Sequence, residues 1–201
     1  MPPSNKIIFA SAGAGKTTEI VIDALAMRPR RAAITTFTLK NVDEIRRKLI
    51  ETNGCVPPEI TIYPWYTFVL HEMVRPYQGH VHAERVAGVH FAKGATRTYV
   101  QKKDVGRYYC DRENQAYSDR LADFALLCNQ ASGGKVLRRL NDMFSHIFVD
   151  EVQTWLHTTS MFLSSLFVRQ SASRPSGTFV RQLSGQATRP RTNSISAEAL
   201  S

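Results

Sequence analysis

The sequence predicts an α/β fold: a parallel β-sheet flanked by helices, followed by a C-terminal tail without stable order. Three observations predict it. Short apolar runs alternate with segments of helical spacing between residues 6 and 150, the order expected of repeated β-α units. A turn of small residues joins the first apolar run directly to the first helix. Beyond Gln153 the periodicity stops and the composition changes.

Lys6-Ile7-Ile8-Phe9-Ala10 is a short apolar run bounded by a Gly-rich turn, which reads as a buried strand. Thr17 to Met27 has helical spacing, with Ile20, Ile22, Ala24 and Leu25 apolar, and stops before Pro29. Arg31 to Phe37 reads as a second strand. Asn41 to Ile50 reads as a helix with Val42, Ile45, Leu49 and Ile50 on one side and Arg46, Arg47 and Lys48 on the other, so that Glu44 to Lys48 form a solvated face. Ile60 to Tyr63 is a third strand, and an aromatic-rich helix runs from about Trp65 to Met73. A less regular insertion covers about residues 80–130. Its first part, to residue 118, is polar and poorly periodic, and Ser118 to Gln130 is helical. Gly134 to Phe144 is a further helix, and Ile147-Phe148-Val149-Asp150 is a final strand that ends in acid.

The chain has 201 residues, 43% of them apolar and 21% charged, which are globular values. No apolar run approaches a membrane span, and the short apolar run near the start is broken too soon by glycine for a signal peptide. The expected compartment is the cytoplasm, with no membrane partner. Cys55, Cys110 and Cys128 are an odd number at wide spacing, so neither a disulfide framework nor a metal knot is expected. His71, His80, His82 and His90 lack the acids or cysteines that would complete a metal site and read as loop histidines. The net charge of +9 suits a polyanionic partner without specifying one.

The turn after the first strand carries the clearest chemistry. Ala10-Ser11-Ala12-Gly13-Ala14-Gly15-Lys16-Thr17 lies between a strand and a helix, the context that a phosphate-binding loop requires. Small residues let backbone N–H groups wrap phosphate oxygens, and the helix N-terminus adds partial positive charge. Lys16 would reach the β- and γ-phosphates of ATP and Thr17, with Thr18 beside it, would follow the loop, Thr17 as a ligand to Mg²⁺. Far along the chain, Asp150 would complete the Mg²⁺ shell and Glu151 would orient or deprotonate the attacking water.

Taken in order, these motifs resemble those of the UvrD/Rep-like superfamily 1 DNA helicases. The loop that begins with Ala10, where the strict pattern has Gly, is similar to that family's version of the Walker A motif. Asp150-Glu151-Val152-Gln153 is similar to its D-E-x-Q box. Thr36-Phe37-Thr38-Leu39-Lys40-Asn41-Val42-Asp43-Glu44-Ile45-Arg46 resembles its T-F-T-N-K-A-A-x-E-M-R motif, and Ile60 to Phe68 resembles the element that usually holds T-x-H-S-F. The resemblance covers residues 6–153 and implies a RecA-like P-loop NTPase lobe whose ATP hydrolysis drives movement along single-stranded DNA. It implies that Thr36, Phe37 and Thr38 line the DNA track, that Tyr66 and Phe68 extend it, and that Gln153 senses the γ-phosphate and couples hydrolysis to motion. For Phe37 and Phe68 a place in the core is the competing reading. The family's upstream Gln-containing, adenine-reading segment has no counterpart in the five residues before Lys6, so the preference for ATP is carried by the resemblance alone.

Residues 154–201 contain no Lys, Asp or Tyr, and one third of them are Ser or Thr. In the family an acidic amphipathic helix follows D-E-x-Q. Reading this tail one base earlier permits D-L-A-A-Y-D-F-D-V-L-E-L-L-I-R-S across Gln153 to Val168, and G-D-I-R-Q-A-T-F, similar to the family's next motif, across Ser176 to Ser184. The expectation is therefore a frameshifted and disordered tail on a truncated motor, with weak Mg-ATP binding and no unwinding. The nucleotide sequence over codons 150–156 decides the matter. Two further readings stay open: another small P-loop NTPase or kinase, and a non-catalytic nucleic-acid-binding fragment.

Overall fold

The structure, a computed structural model, describes residues 7–9, 16–91, 96, 99–150 and 179–184, with residues 7–9, 16 and 179–184 described as backbone. It is a mixed α/β fold with a parallel sheet flanked by helices. The elements are β1 (Ile7–Phe9), α1 (Lys16–Ala26), β2 (Ala32–Thr36), α2 (Leu39–Asn53), β3 (Ile60–Pro64), α3 (Trp65–Phe68), β4 (Gly88–His90), α4 (Val105–Tyr109), β5 (Gln115–Tyr117), α5 (Leu121–Ala131), α6 (Lys135–Met143), β6 (His146–Asp150) and β7 (Phe179–Ser184). The main sheet has the order β1-β7-β6-β2-β3, every pair parallel. Among the described residues no helix is long and apolar enough to cross a membrane.

A parallel sheet covered on both faces needs strands that are apolar on both sides, and β2 and β6 meet that requirement. All of Ala32–Thr36 is buried, as are Ile147, Phe148, Val149 and Asp150. Alternation then sorts side chains between two cores. Ala32, Ile34 and Phe148 pack with Ile20, Val21 and Ala24 of α1 and Ile45 and Leu49 of α2. Ala33, Ile147 and Val149 face the other way, onto Trp65, Phe68, Phe124, Val136 and Leu140. Helix α2 is delimited by its caps. Thr38 Oγ1 accepts from Asn41 N at 3.1 Å, and Gly54, at φ 81°, donates its N–H to Ile50 O at 2.8 Å. Its outer face carries Arg46–Asp43, Arg47–Glu51 and Lys48–Glu44 pairs, the solvated face expected from its spacing.

On the second face, α3 runs into a π-helical segment, Val69–Val74, whose wider turn brings Val69, Leu70, Met73 and Val74 into the core against α5. Glu72 ties three elements together. Its carboxylate accepts from Tyr63 Oη at 3.2 Å and from Arg139 Nη1 at 2.8 Å, and Arg139 also donates to Glu72 O at 2.9 Å. Burial, followed by the Glu72 charge, pushes the Tyr63 phenol up to about 12.

The polar stretch after residue 80 is more regular than its sequence indicates. Strands β4 and β5 pair in parallel, and His90 Nδ1 meets Asp111 Oδ2 at 2.8 Å. Tyr109 stacks on Phe124 at 4.7 Å and donates to Asp123 Oδ2 at 2.6 Å, which anchors this stretch on α5. Cys110 and Cys128 are buried, and burial raises their thiols to about 11 and about 12, so both are inert while Cys55 is exposed. The expectation of a tail without order is corrected at Phe179–Ser184, which form the inner strand β7 between β1 and β6. Phe179 and Val180 favour strands, and a parallel slot with partners on both sides supplies the hydrogen bonds. The remaining tail, residues 151–178 and 185–201, lies outside the described residues.

His146 opens β6, its ring stacked on Phe148 at 6.2 Å. Ser145 Oγ donates to Arg31 O, so His146 Nδ1–H donates to that hydroxyl at 3.0 Å. Burial, then the Arg30 charge, lowers the His146 pKa below 6.5. The unfolded chain therefore takes up this proton at higher pH than the fold does, and stability falls as pH drops below about 6.5 until the folded pKa is reached. Thermal unfolding between pH 7.5 and about 5 is expected to show a shallower acid slope in His146→Asn than in the parent protein. Equal slopes would exclude His146 as the source.

Candidate functional site

Because the strands are parallel, their carboxyl ends share one edge of the sheet, where ligands of open α/β sheets bind. Phe9 is in register with Ser184, and Asp150 with Leu183. The end of β1 and the end of β6 are thus level to within one residue, on either side of β7, about 10 Å apart at a strand spacing of about 4.8 Å. Lys16 is the first residue of α1. Thr17 follows, half-buried, and Thr18 is exposed. Asp150 is 3% exposed. Of the predicted loop, Ala10, Ser11, Ala12, Gly13, Ala14 and Gly15 lie outside the described residues, as do Glu151 and Gln153.

The neighbouring strand ends carry aromatic rings. Strand β2 lies beside β6 with Thr35 opposite Val149, so Thr36 ends level with Asp150. Phe37, the next residue, packs on Trp65 at 5.7 Å and, edge to face, on Tyr66 at 6.2 Å. Trp65 and Tyr66 open α3 directly after β3. Tyr66 in turn meets Phe91 edge to face at 4.9 Å. Burial, and then the Asp119 charge, raises the Tyr66 phenol to about 12, so this ring stays neutral. Phe37 and Tyr66 are half-buried and Thr38 is exposed while capping α2.

Two predicted track residues are buried. Thr36 is fully buried, and its Oγ1 accepts from Asn41 Nδ2 at 3.3 Å, so the hydroxyl organises the turn into α2 and does not face a ligand. Phe68 is 2% exposed and packs against Tyr63, Trp65 and Phe144, which makes it a core residue. Alternation explains both. Thr36 belongs to the strand proper, where both faces are covered, and Phe68 lies on the inward side of α3.

No protein-family model matches the chain, and no curated protein matches it.

The arrangement offers a hydroxyl at Thr17 and a buried carboxylate at Asp150 along one edge, beside an aromatic pair. Both are hard oxygen donors, the kind that suits Mg²⁺. Among the described residues no group of three or more His, Cys, Asp or Glu side chains is arranged to hold a metal ion. His82 Nε2 of the insertion meets Asn114 Oδ1 at 2.9 Å, and His71 Nε2 of the π-helical segment meets Arg75 Nη1 at 2.8 Å. Sequence reasoning missed Asn41, which binds Thr36 and Thr38 together, and Phe91. The N-cap spacing from Thr38 signals the first. Phe91 has no local signal, since only a contact across the fold brings it to Tyr66.

Proposed function

We propose that this chain carries the nucleotide-binding lobe of a UvrD/Rep-like, ATP-dependent DNA helicase motor that tracks along single-stranded DNA in the cytoplasm. The observation that carries the reading is the register of the parallel sheet. It brings the strand before residues 10–15 and the strand ending at Asp150 to one level of one edge, with Phe37 and Tyr66 just past the ends of the next two strands. In this reading the backbone of Ala10–Gly15 and Lys16 neutralise the phosphates, Thr17 and Asp150 hold the metal, Glu151 orients water, and Gln153 senses the γ-phosphate. Bound Mg²⁺ offsets the negative charge that develops on the phosphates. Phe37 and Tyr66 offer neutral faces to bases, and Thr38 a hydroxyl to the DNA backbone. Thr36 and Asp150 end level on adjacent strands, so a shift at the nucleotide edge reaches Phe37 across about one strand spacing.

Equilibrium binding of a fluorescent ATP analogue tests this. Saturable binding that requires Mg²⁺ is expected. Asp150→Asn removes one charge-assisted contact of about 1.5–3 kcal/mol and is expected to weaken Mg²⁺-dependent binding about tenfold or more. Binding without Mg²⁺ should change little. A chain that takes up no nucleotide with Mg²⁺ present, or an Asp150→Asn variant that binds as the parent does, would sink the reading.

A further inference from the structure

Phe91 is 65% exposed, yet it is not a loose surface ring. It follows β4 directly and stands edge to face on Tyr66 at 4.9 Å and 89°. Tyr66 stands the same way on Phe37, and Phe37 leans on buried Trp65. The row Phe37–Tyr66–Phe91 therefore starts at the end of β2, passes the start of α3 and ends on the insertion. Its inner end is fixed by the core and its outer end is open to solvent. Successive edge-to-face contacts turn successive rings by about a right angle. An isolated exposed phenylalanine is common on protein surfaces. A phenylalanine held upright by a row of rings that ends in the core keeps a defined orientation.

The charge of the segment that Phe91 opens in sequence selects among planar partners. Residues 91–112 carry six basic and two acidic side chains. Asp119, the carboxylate whose charge acts on Tyr66, has both oxygens engaged, Oδ2 by Thr96 N at 2.8 Å and Oδ1 by Thr96 Oγ1 at 2.7 Å. Lys40 is exposed in the first turn of α2, close in sequence to Phe37. A ring that offers its face beside a net positive segment suits a polyanion whose flat groups are unpaired, which describes single-stranded nucleic acid and not a duplex.

We infer that Phe91 is a base-stacking residue at which the single-strand track leaves the sheet edge and continues onto the insertion. The inference rests on the DNA-tracking reading above and adds to it a contact outside every motif that supports that reading. Phe91 follows β4, which belongs to a different sheet from β1 and β6, so the role inferred for it is in DNA affinity and register.

The test is anisotropy of a fluorescently labelled oligodeoxythymidylate with the full chain, titrated at several salt concentrations. Phe91→Ala is expected to weaken binding about tenfold with an unchanged salt slope, because no ion contact is lost. Phe91→Trp should restore it. Thermal unfolding of both variants should match the parent, since the side chain is mostly in solvent. Tyr99→Ala is the control, as Tyr99 is fully exposed and outside the row. If Phe37→Ala weakens binding and Phe91→Ala does not, the inference falls and the DNA reading stands. A parent chain that does not bind the oligonucleotide overturns both. An effect of Phe91→Ala on self-association alone assigns the ring to a protein contact and overturns the inference.

Discussion

Replacing Phe148 with alanine is expected to cost about 3–5 kcal/mol of folding stability. Phe148 sits in β6, an inner strand, 1% exposed, directly opposite Ile34 of β2. Its ring fills the space between the sheet and helices α1 and α2, where Ile20, Val21, Ala24, Ile45 and Leu49 meet. Truncation removes the transfer free energy of the ring and leaves a cavity that these neighbours close only in part, because they are fixed by the sheet and by the caps of α2. A loss of that size is a large share of the roughly 5–15 kcal/mol that holds a typical domain. Urea denaturation should show a lower midpoint at unchanged slope. Phe148→Leu, which keeps most of the volume, should lose clearly less. A loss below about 1 kcal/mol for the alanine variant would mean that this face of the sheet is not a packed core.

Arg120→Ala is expected to cost about 2–3 kcal/mol, and locally. The guanidinium donates to Tyr108 O at 2.6 Å and to Thr96 O at 2.8 Å, and lies over the Tyr108 ring at 4.1 Å. One side chain thus gathers two parts of the insertion, around Thr96 and Tyr108, onto the start of α5. Removing it leaves two carbonyls without this donor and a ring without its cation. Arg120 is half-buried, so solvent replaces part of the loss, and the lower end of the range for two charge-assisted bonds applies. Lysine keeps the charge but lacks the fork that spans two carbonyls, so Arg120→Lys should recover less than half. Hydrogen exchange is the informative readout. Amides of 105–117 should lose protection while those of β2 and β6 keep it. Equal loss everywhere would show that the insertion and the sheet unfold as one unit.

Much of the sheet was legible because β2 and β6 carry their own two-sided apolar patterns. Ala32 to Thr36 and Ile147 to Asp150 read as buried strands from their residues alone, and the helices between them end where Thr38, Gly54 and Pro29 stop them. The insertion was not legible, because β4 and β5 are three residues each and are held by partners far away, His90 by Asp111 and Thr96 by Asp119 and Arg120. The same limit applies to the turn after β2. The order Thr36-Phe37-Thr38 marks that turn, yet only the packing decides that Thr36 is buried and Thr38 exposed. Likewise only the fold turns Phe68 toward Phe144, far along the chain. In β7, Phe179 and Val180 were hidden by a Ser- and Arg-rich composition that says nothing about a six-residue run.

The position of β7 has a consequence for synthesis. Within the sheet β1 pairs with β7 and with no other described strand, Ile7 opposite Gln182. Of the described strands β1 is made before the others and is therefore among the last to find its partner. At about 5–20 residues per second on a ribosome, β1 waits on the order of ten seconds or more for its slot to exist, while β2, β3 and β6 can already assemble. During that interval β1 is without the partner it has in the sheet. A chaperone that holds short apolar segments would govern how much of the newly made protein reaches this fold.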